Sequence, residues 1–216
     1  MKPLKVSEKS AHRLLVEGKD DLHTVIHLLR RRDLDYDNPP VGLPYIHATD
    51  GYPQLLGALS VAAKSYKRLG VVIDADLDPK ARWTEVRHRF KTVGIELSEV
   101  SSAGGTVVTG IADEWRVGVW LMPDNSQAGT LETFLSRLVP LGDTCWPHAE
   151  ASAKEAKRLG AKYPGKYFSK AHIHTWLSWQ EEPGQPFGTA ITSACFRTDS
   201  PDALAFVAWF RRLFLE

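Results

Sequence analysis

Short apolar runs alternate along this chain with longer segments in which apolar residues recur every three or four positions. The longer spacing, clear in segment 20–31, is the period of a helix with one buried face. A short continuous apolar run bounded by turn residues is typical of a buried strand. The pattern predicts strands at residues 13–16, 45–48, 71–73, 106–110 and 115–121. Because helical segments separate most of these strands, it predicts an α/β fold with a mainly parallel central sheet flanked by helices.

Helix starts and stops are marked by capping residues, prolines and glycines. Thr49 or Asp50 is predicted to cap a helix that Gly70 ends. The pair Asp78-Pro79 is a strong start signal, with an N-cap aspartate before a proline in the first turn, and Ser200-Pro201 opens a last amphipathic helix in the same way. Further helices are predicted at 131–139 and 149–159, with a Gly/Pro-rich linker at 182–188.

Composition restricts the class of protein only loosely. Hydrophobic residues make up 43% and charged residues 25% of the 216 positions, as in ordinary globular proteins. With 27 basic and 26 acidic residues the formal net charge is +1, which neither requires nor excludes nucleic acid as a partner. No apolar run reaches membrane-span length, so we expect a cytoplasmic protein without a membrane partner. Cys145 and Cys195 form no metal or redox motif, and we expect both thiols to be buried.

Acidic residues follow two of the predicted strands. Glu17 comes after the first strand with Asp21 four positions later, and Asp74 and Asp76 come after the 71–73 strand. In a parallel sheet the carboxyl ends of strands meet at one edge, so these carboxylates should converge. Converging carboxylates repel one another unless a cation lies between them, and oxygen ligands suit Mg²⁺ or Mn²⁺. The pattern therefore favours a divalent-metal site, while solvated loop acids and helix caps remain the alternative interpretation.

The segments Glu17-Gly18-Lys19-Asp20-Asp21 and Asp74-Ala75-Asp76 together resemble the two signature motifs of the Toprim domain. That domain occurs in topoisomerases, primase-type enzymes and the OLD family of nucleases. The segments 120–125, 129–135 and 170–184 are in addition similar to a family of small, stand-alone bacterial Toprim-like proteins related to the OLD nucleases. The resemblance covers nearly the whole chain. It implies a Toprim-like catalytic core at 1–140 and a mostly helical C-terminal extension at 141–216, packed on the core and contributing Lys170.

The resemblance also implies roles for individual residues. Glu17 would be a metal ligand or general acid/base, and Lys170 would stabilise charge on a phosphate. A second metal ion would draw on acids outside the core pair. The implied metal ligands are Glu17, Asp21, Asp74, Asp76, Asp124 and Glu132. Separately from the resemblance, basic residues are close enough in sequence to form a basic rim, and those expected to contact nucleic acid are Lys19, Arg13 and Arg82. Solvated helix faces are the alternative interpretation of these charges.

These expectations point to a metal-dependent endonuclease that hydrolyses phosphodiester bonds of DNA or RNA by a two-metal mechanism, as effector of an antiviral (antiphage) defence system. The chain lacks the Gly-rich phosphate loop of an ATPase, so control by ATP would require a separate ATPase partner. Two alternatives stay open: a catalytically silent Toprim-fold module that binds nucleic acid or protein, and an enzyme acting on a small phosphorylated ligand. Oligomeric state, including a homo-oligomer, is also left open.

Overall fold

The architecture is that of a computed structural model, which describes residues 5–216. In this described part of the chain, five strands form one sheet in the order β2-β1-β3-β5-β4, in which β4 alone is antiparallel to its neighbour. The strands are β1 (His12–Val16), β2 (Tyr45–Ala48), β3 (Arg68–Asp74), β4 (Thr106–Thr109) and β5 (Arg116–Met122). The prediction of an α/β fold with a mainly parallel sheet is confirmed.

Within residues 5–216, eight α-helices surround this sheet or extend from it. They are α1 (Lys19–Arg30), α2 (Tyr52–Ser65), α3 (Pro79–Lys91), α4 (Leu131–Ser136), α5 (Cys145–Arg158), α6 (Phe168–Leu177), α7 (Phe187–Thr192) and α8 (Pro201–Phe214). A short 3₁₀ turn at Gly165–Tyr167 leads directly into α6. Among residues 5–216, no helix has both the length and the apolar character needed to cross a membrane.

Side chains of the strands alternate between two hydrophobic layers, as the period of two in a strand requires. Leu14 and Val16 of β1 pack in a layer with residues of α1, α6, α7 and α8. Leu15, between them in sequence, packs in the opposite layer with residues of α2 and α3. Helices therefore cover both faces of the sheet, which leaves its edges and strand ends as the places where polar groups can gather.

Gly70 lies inside β3 and does not end the preceding helix, so that prediction is wrong. The helix α2 ends at Ser65 and the strand begins at Arg68. Gly70 pairs in register with Gly118 of β5, and α8 lies against both residues. A Cβ atom added to Gly70 would lie 2.9 Å from the Phe214 side chain, and one added to Gly118 would lie 2.5 Å from the Leu213 side chain. The two glycines are thus where the last helix packs on the sheet.

Local capping signals located the starts of two helices correctly. The Asp78 carboxylate accepts hydrogen bonds from the amides of Lys80 and Ala81, each at 3.0 Å, and the Ser200 hydroxyl accepts one from Ala203. The remainder of the C-terminal part was predicted less well. The segment predicted as a linker contains the start of α7, whose residues contact α1, and Cys145 is exposed where burial was expected.

Candidate active site at the carboxyl edge of the sheet

Three acidic residues lie where β1, β2 and β3 end. Glu17 follows β1, Asp50 follows β2, and Asp74 is the last residue of β3. They line one cleft of about 450 Å³, with residues of α1, α4 and α6 on its other sides. The chain leaves β1 for β2 on one side and reaches β3 on the other. The cleft therefore opens at the point where strand order reverses, which is where open α/β sheets bind their ligands.

Backbone amides hold the two strand-end carboxylates in place. The amide of Asp74 donates a hydrogen bond of 2.9 Å to Oε1 of Glu17, which ties the end of β1 to the end of β3. The amide of Leu131, at the start of α4, donates one of 2.8 Å to Oδ1 of Asp74. One oxygen of each carboxylate is thereby oriented by the main chain.

Asp21 enters the same cleft from the first turn of α1. Its Oδ2 accepts a 3.0 Å hydrogen bond from the amide of Gly18, the residue that precedes the helix. This is the return bond of a capping box, so local helix geometry turns the Asp21 side chain towards Glu17. The side chain is buried, with only 8% of the residue exposed, although it carries a carboxylate.

Glu132 and Lys170 complete the cleft from α4 and α6. The Lys170 ammonium lies 3.3 Å from Oε1 of Glu132 and 3.8 Å from Oδ2 of the exposed Asp20. The Thr130 hydroxyl donates a 2.7 Å hydrogen bond to Oε2 of Glu132. A lysine from the C-terminal part of the chain therefore lies beside the acids of the sheet edge.

Burial and mutual repulsion raise the pKa of three of these carboxyls. Burial raises the pKa of Asp21 to about 7, with the charges of Glu17 and Glu132 adding to the effect and amide hydrogen bonds opposing it. The pKa of Asp74 is raised well above its usual value by burial and by Asp21, Glu17 and Glu132. Burial also raises the pKa of Glu17, against the Asp74 amide and Arg82. Such a group of acids is stabilised by an added cation.

Lys170 keeps its proton in this setting. Burial alone would lower the pKa of its ammonium, but Glu132, Asp20 and Asp21 outweigh that effect and raise the pKa. In the cleft, the ammonium of Lys170 therefore lies beside several carboxyls that repel one another. That combination suits a negatively charged ligand that binds together with a cation.

The acids share a cleft without forming a closed cage. Within residues 5–216, no three His, Cys, Asp or Glu side chains are grouped closely enough to hold a metal ion as they stand. The reason is visible in their partners: Glu17 and Asp74 each direct an oxygen to a backbone amide, and Glu132 directs its two to Thr130 and Lys170. The donor set is nevertheless all oxygen, the type preferred by Mg²⁺ and Mn²⁺.

Asp76 lies outside the cleft that contains Asp74. An extended segment would point the two side chains the same way, which was the basis for predicting Asp76 as a ligand. In the structure Asp76 has φ of +51° and its backbone pairs with Gly129. Its carboxylate instead forms a salt bridge with Arg82, whose guanidinium lies 3.5 Å from the centre of the Tyr52 ring. The two aspartates therefore line adjacent cavities.

Asp124, predicted as a ligand of a second metal ion, stabilises a turn. Its Oδ1 accepts hydrogen bonds from the amides of Ser126 and Gln127, and its Oδ2 lies 2.7 Å from Arg137. Burial alone would raise the pKa of Asp124, but these partners lower it to about 2. The prediction of Asp124 as a metal ligand is therefore corrected: its carboxylate forms a salt bridge with Arg137, and the residue does not line the acidic cleft.

Replacing Asp124 by asparagine should reduce stability in a pH-dependent way. A carboxyl with a lowered folded-state pKa contributes stability above its unfolded pKa of about 4, and the contribution is lost as pH falls towards about 2. After allowance for solvent screening of this half-buried pair, we expect Asp124→Asn to cost about 1–2 kcal/mol at pH 7. Urea unfolding at pH 7 and pH 2.5 measures it: the difference between the variant and wild type should be largest at the first pH and shrink at the second, which approaches the folded-state pKa of Asp124. Glu181→Gln, at an exposed position, should match wild type at both.

Arg13 also differs from its predicted role. It lies near the start of β1, away from the carboxyl edge, and is 7% exposed. Its guanidinium lies 4.6 Å from the Tyr45 ring centre and 4.7 Å from that of Tyr66, and it donates a hydrogen bond to the Glu8 carbonyl. A buried arginine held between two aromatic rings cannot contact nucleic acid. Of the other two predicted basic residues, Lys19 lines the acidic cleft and Arg82 the cavity beside it.

Asp50 was missed as a site residue. From the sequence it was considered only as a helix cap, although it lies two residues after the predicted strand at 45–48. The cap of α2 is Gly51, whose amide donates to the Glu17 carbonyl at 2.8 Å, so the loop after β2 is joined to the loop after β1. Position at a strand end was the signal that could have identified Asp50.

Comparison with known proteins gives a family and no function. A family model described as "Protein of unknown function (DUF3226)" matches residues 11–215. No curated protein and no solved structure matches the chain. Since the matched range includes every strand and helix described above, the chain belongs to the DUF3226 family.

Proposed function

We propose that this protein is a Toprim-type, divalent-metal-dependent nuclease that hydrolyses phosphodiester bonds of nucleic acid. The observation that carries the proposal is the convergence of Glu17, Asp21, Asp74 and Glu132 with Lys170 in one cleft at the carboxyl edge of the sheet. The acids come from separate elements, and three of them have raised pKa values because they are buried together. Stability of a fold rarely requires several carboxyls to be buried together, whereas metal-assisted hydrolysis does require such a cluster.

In this proposal, Asp21, Asp74 and Glu132 hold Mg²⁺ or Mn²⁺, and Glu17 acts as general base beside them. The bound metal would polarise the phosphate and lower the pKa of a water molecule. Their oxygens are the appropriate donors, and a cation would relieve the repulsion that raises the pKa values of Asp21 and Asp74. Asp124 is not part of this set because Arg137 pairs with it.

The residues of the chain have distinct tasks in the hydrolysis. The water oxygen bonds to phosphorus while the opposite P–O bond breaks, and the departing oxygen leaves with that electron pair. Glu17 accepts the proton released by the water, a task suited to a carboxyl whose pKa burial raises above its usual value. Lys170, held protonated beside Glu132, stabilises the negative charge that develops on the phosphate, and the leaving oxygen takes its proton from solvent.

A catalytically silent Toprim-fold module is the second candidate. It is favoured by the absence of a preformed group of three metal ligands within residues 5–216 and by the salt bridge that keeps Asp76 on Arg82. Such a module would bind nucleic acid or protein through the same edge without cleaving it. The two candidates differ in one measurable property, metal-dependent turnover.

The deciding experiment incubates the protein with plasmid, linear duplex and single-stranded DNA and RNA in Mg²⁺, Mn²⁺ or EDTA. Wild type should cleave at least one substrate only in the presence of metal. Lys170→Met should lower the rate of cleavage about 10²–10³-fold, because the variant loses the positive charge that is positioned to stabilise the phosphate in the transition state. The matched control is Lys162→Met, which removes the same charge from an exposed position outside the cleft and should leave the rate unchanged.

Two outcomes would contradict the proposal. Wild type without metal-dependent cleavage of any of these substrates would favour the silent module. Cleavage that Lys170→Met leaves at the wild-type rate would show that the activity resides elsewhere.

A further inference from the structure

A second cavity of about 640 Å³ adjoins the acidic cleft. The two are separated by the backbone pairing of Asp76 with Gly129, whose amides and carbonyls form two hydrogen bonds of 2.8 Å. Thr130 connects them, since it lines the second cavity while its hydroxyl donates to Glu132 in the cleft. A ligand reacting in the cleft therefore has this cavity as its immediate neighbour.

The cavity has apolar walls and a size suited to part of a ligand. Its volume falls within the range of roughly 300–1,000 Å³ that is usual for small-molecule sites. Arg82 of α3 lines one side of the cavity, and its guanidinium is stacked on the Tyr52 ring. The plane of a guanidinium is a surface on which nucleobases stack. The apolar part of the lining consists of Ala75, Leu77, Ala81, Ala128 and Gly129.

The acids around this cavity already have partners within the protein. Asp76 pairs with Arg82, Asp78 caps α3, and Glu85 accepts a 2.5 Å hydrogen bond from the Tyr52 hydroxyl. Lys166, by contrast, forms no ion pair within the part of the chain that the structure describes, although it lies over the Tyr167 ring. The uncommitted charge at this cavity is therefore positive.

Lys166 and Lys170 place cations at the two cavities from one continuous segment. The 3₁₀ turn that contains Lys166 runs without interruption into α6, which contains Lys170. Lys166 lines the second cavity and Lys170 lines the acidic cleft. Two cations spaced along one helical segment suit two successive phosphates of a nucleic-acid strand better than a single phosphate group.

We infer that the second cavity is a nucleotide subsite, which receives the base next to the phosphate that is cleaved. Lys166 binds the neighbouring phosphate, and Arg82 provides a stacking surface for the base. A base can enter such a cavity only when it is out of a duplex stack, so the substrate is a single strand or an unpaired end. This inference rests on the proposed function for the position of the reacting phosphate, but the binding of the strand can be measured without cleavage.

The test fills the cavity. Ala81 is exposed on α3 and lines the cavity, so Ala81→Trp occupies it without entering the hydrophobic core. Ala156→Trp, at an exposed position of α5 outside both cavities, is the matched control. Binding of fluorescein-labelled single-stranded DNA and RNA oligonucleotides is followed by anisotropy in Ca²⁺, with a gel confirming that they stay intact. Lys166→Ala, with Lys162→Ala as its control, provides a second variant that does not depend on the tolerance of the cavity for tryptophan.

We expect Ala81→Trp to weaken oligonucleotide binding about tenfold or more, the effect of losing contact with one base. Lys166→Ala should weaken it less and flatten its dependence on salt, because one phosphate contact is lost. Ala156→Trp and Lys162→Ala should bind as wild type does. In turnover, Ala81→Trp should lower kcat/KM for the oligonucleotide about tenfold more than for bis(4-nitrophenyl) phosphate, which is too small to need the subsite.

The inference would be overturned if Ala81→Trp and Lys166→Ala bound the oligonucleotide as tightly as wild type does. It would also be overturned if wild type bound a duplex and a mononucleotide as tightly as the single strand. Failure of the proposed function has a different signature. If wild type turns over neither the oligonucleotide nor bis(4-nitrophenyl) phosphate, while the two variants still lose strand binding, the subsite stands in a non-catalytic module.

Discussion

Asp74→Asn should abolish metal-dependent cleavage and at the same time make the metal-free protein more stable. The asparagine keeps the shape of the side chain and the acceptor for the Leu131 amide, so the end of β3 stays in place. It removes a charge that Asp21, Glu17 and Glu132 repel. Cleavage should fall by about 10³-fold or more, because a ligand that neutralises and positions the metal is lost. The free energy of unfolding in EDTA should rise by about 1–3 kcal/mol, since removing like charge from a buried site relieves repulsion.

Thermal unfolding with and without metal measures the second effect. Mg²⁺ or Mn²⁺ should raise the melting temperature of wild type, because an ion that binds only the folded state stabilises it. Asp74→Asn should begin with the higher melting temperature in EDTA and gain little from metal. The control is Asp33→Asn: Asp33 is exposed in the turn after α1 with φ of +65°, a conformation that asparagine adopts as readily, so the metal response should be that of wild type.

The opposite signs of these effects separate a binding site from a structural cluster. A carboxylate that served the fold, as Asp124 does beside Arg137, would lower stability when neutralised. Lower stability of Asp74→Asn in EDTA would therefore contradict the repulsion inferred for the cleft. A metal-induced rise in melting temperature equal to that of wild type would remove Asp74 from the ligand set.

The sequence was sufficient to locate the core of the candidate site because strand ends are encoded locally. Glu17 and Asp74 each follow an apolar run, and the parallel order of β1 and β3 brings such positions to one edge. Lys170 is different: its position beside Glu132 depends on how α6 packs on α4, and periodicity along the chain contains no such information. Only the resemblance to a known family indicated that residue.

The misassigned residues depend on partners or backbone angles that local pattern does not specify. Asp76 leaves the cleft because its backbone takes a left-handed conformation, which a non-glycine residue adopts seldom. Asp124 is bound by Arg137, which in turn contacts Asp202 near the start of α8. Arg13 looked like a surface cation but lies between Tyr45 and Tyr66, which are 32 and 53 residues further along the chain (45 − 13 and 66 − 13). Each error concerns a contact made by tertiary structure.

Gly70 is the clearest case in which tertiary packing changes the meaning of a residue. In sequence it reads as the end of a helix, because glycine is the commonest residue just past a helix C-terminus. In the structure it lies in the middle of β3, where the absence of a side chain lets α8 approach the sheet. A methyl group there would lie 2.6 Å from Cδ1 of Leu14 and 2.9 Å from Cζ of Phe214, both buried.

Gly70→Ala should therefore lower the free energy of unfolding by about 1–3 kcal/mol, the usual cost of forcing an extra methyl group into a packed core. Gly57→Ala should do the reverse. Gly57 is exposed within α2 and a Cβ atom there meets nothing within 4 Å, so alanine should raise the free energy of unfolding by about 0.5–1 kcal/mol through helix propensity. Urea unfolding of the two variants beside wild type measures both signs in one experiment.

The pair tests the packing of α8 and leaves the acidic cleft out of the comparison. Gly57 and Gly70 undergo the same chemical change, so an effect of alanine in general would give both variants the same sign. Gly70→Ala as stable as wild type would mean that α8 does not lie on β3 as described.

The metal-induced rise in melting temperature should persist in Gly57→Ala, because α2 contributes no side chain to the cleft. A loss of stability without loss of the metal response in Gly70→Ala would place the damage in the core, whereas loss of both would show that the packing of α8 also holds the end of β3, and with it Asp74, in position.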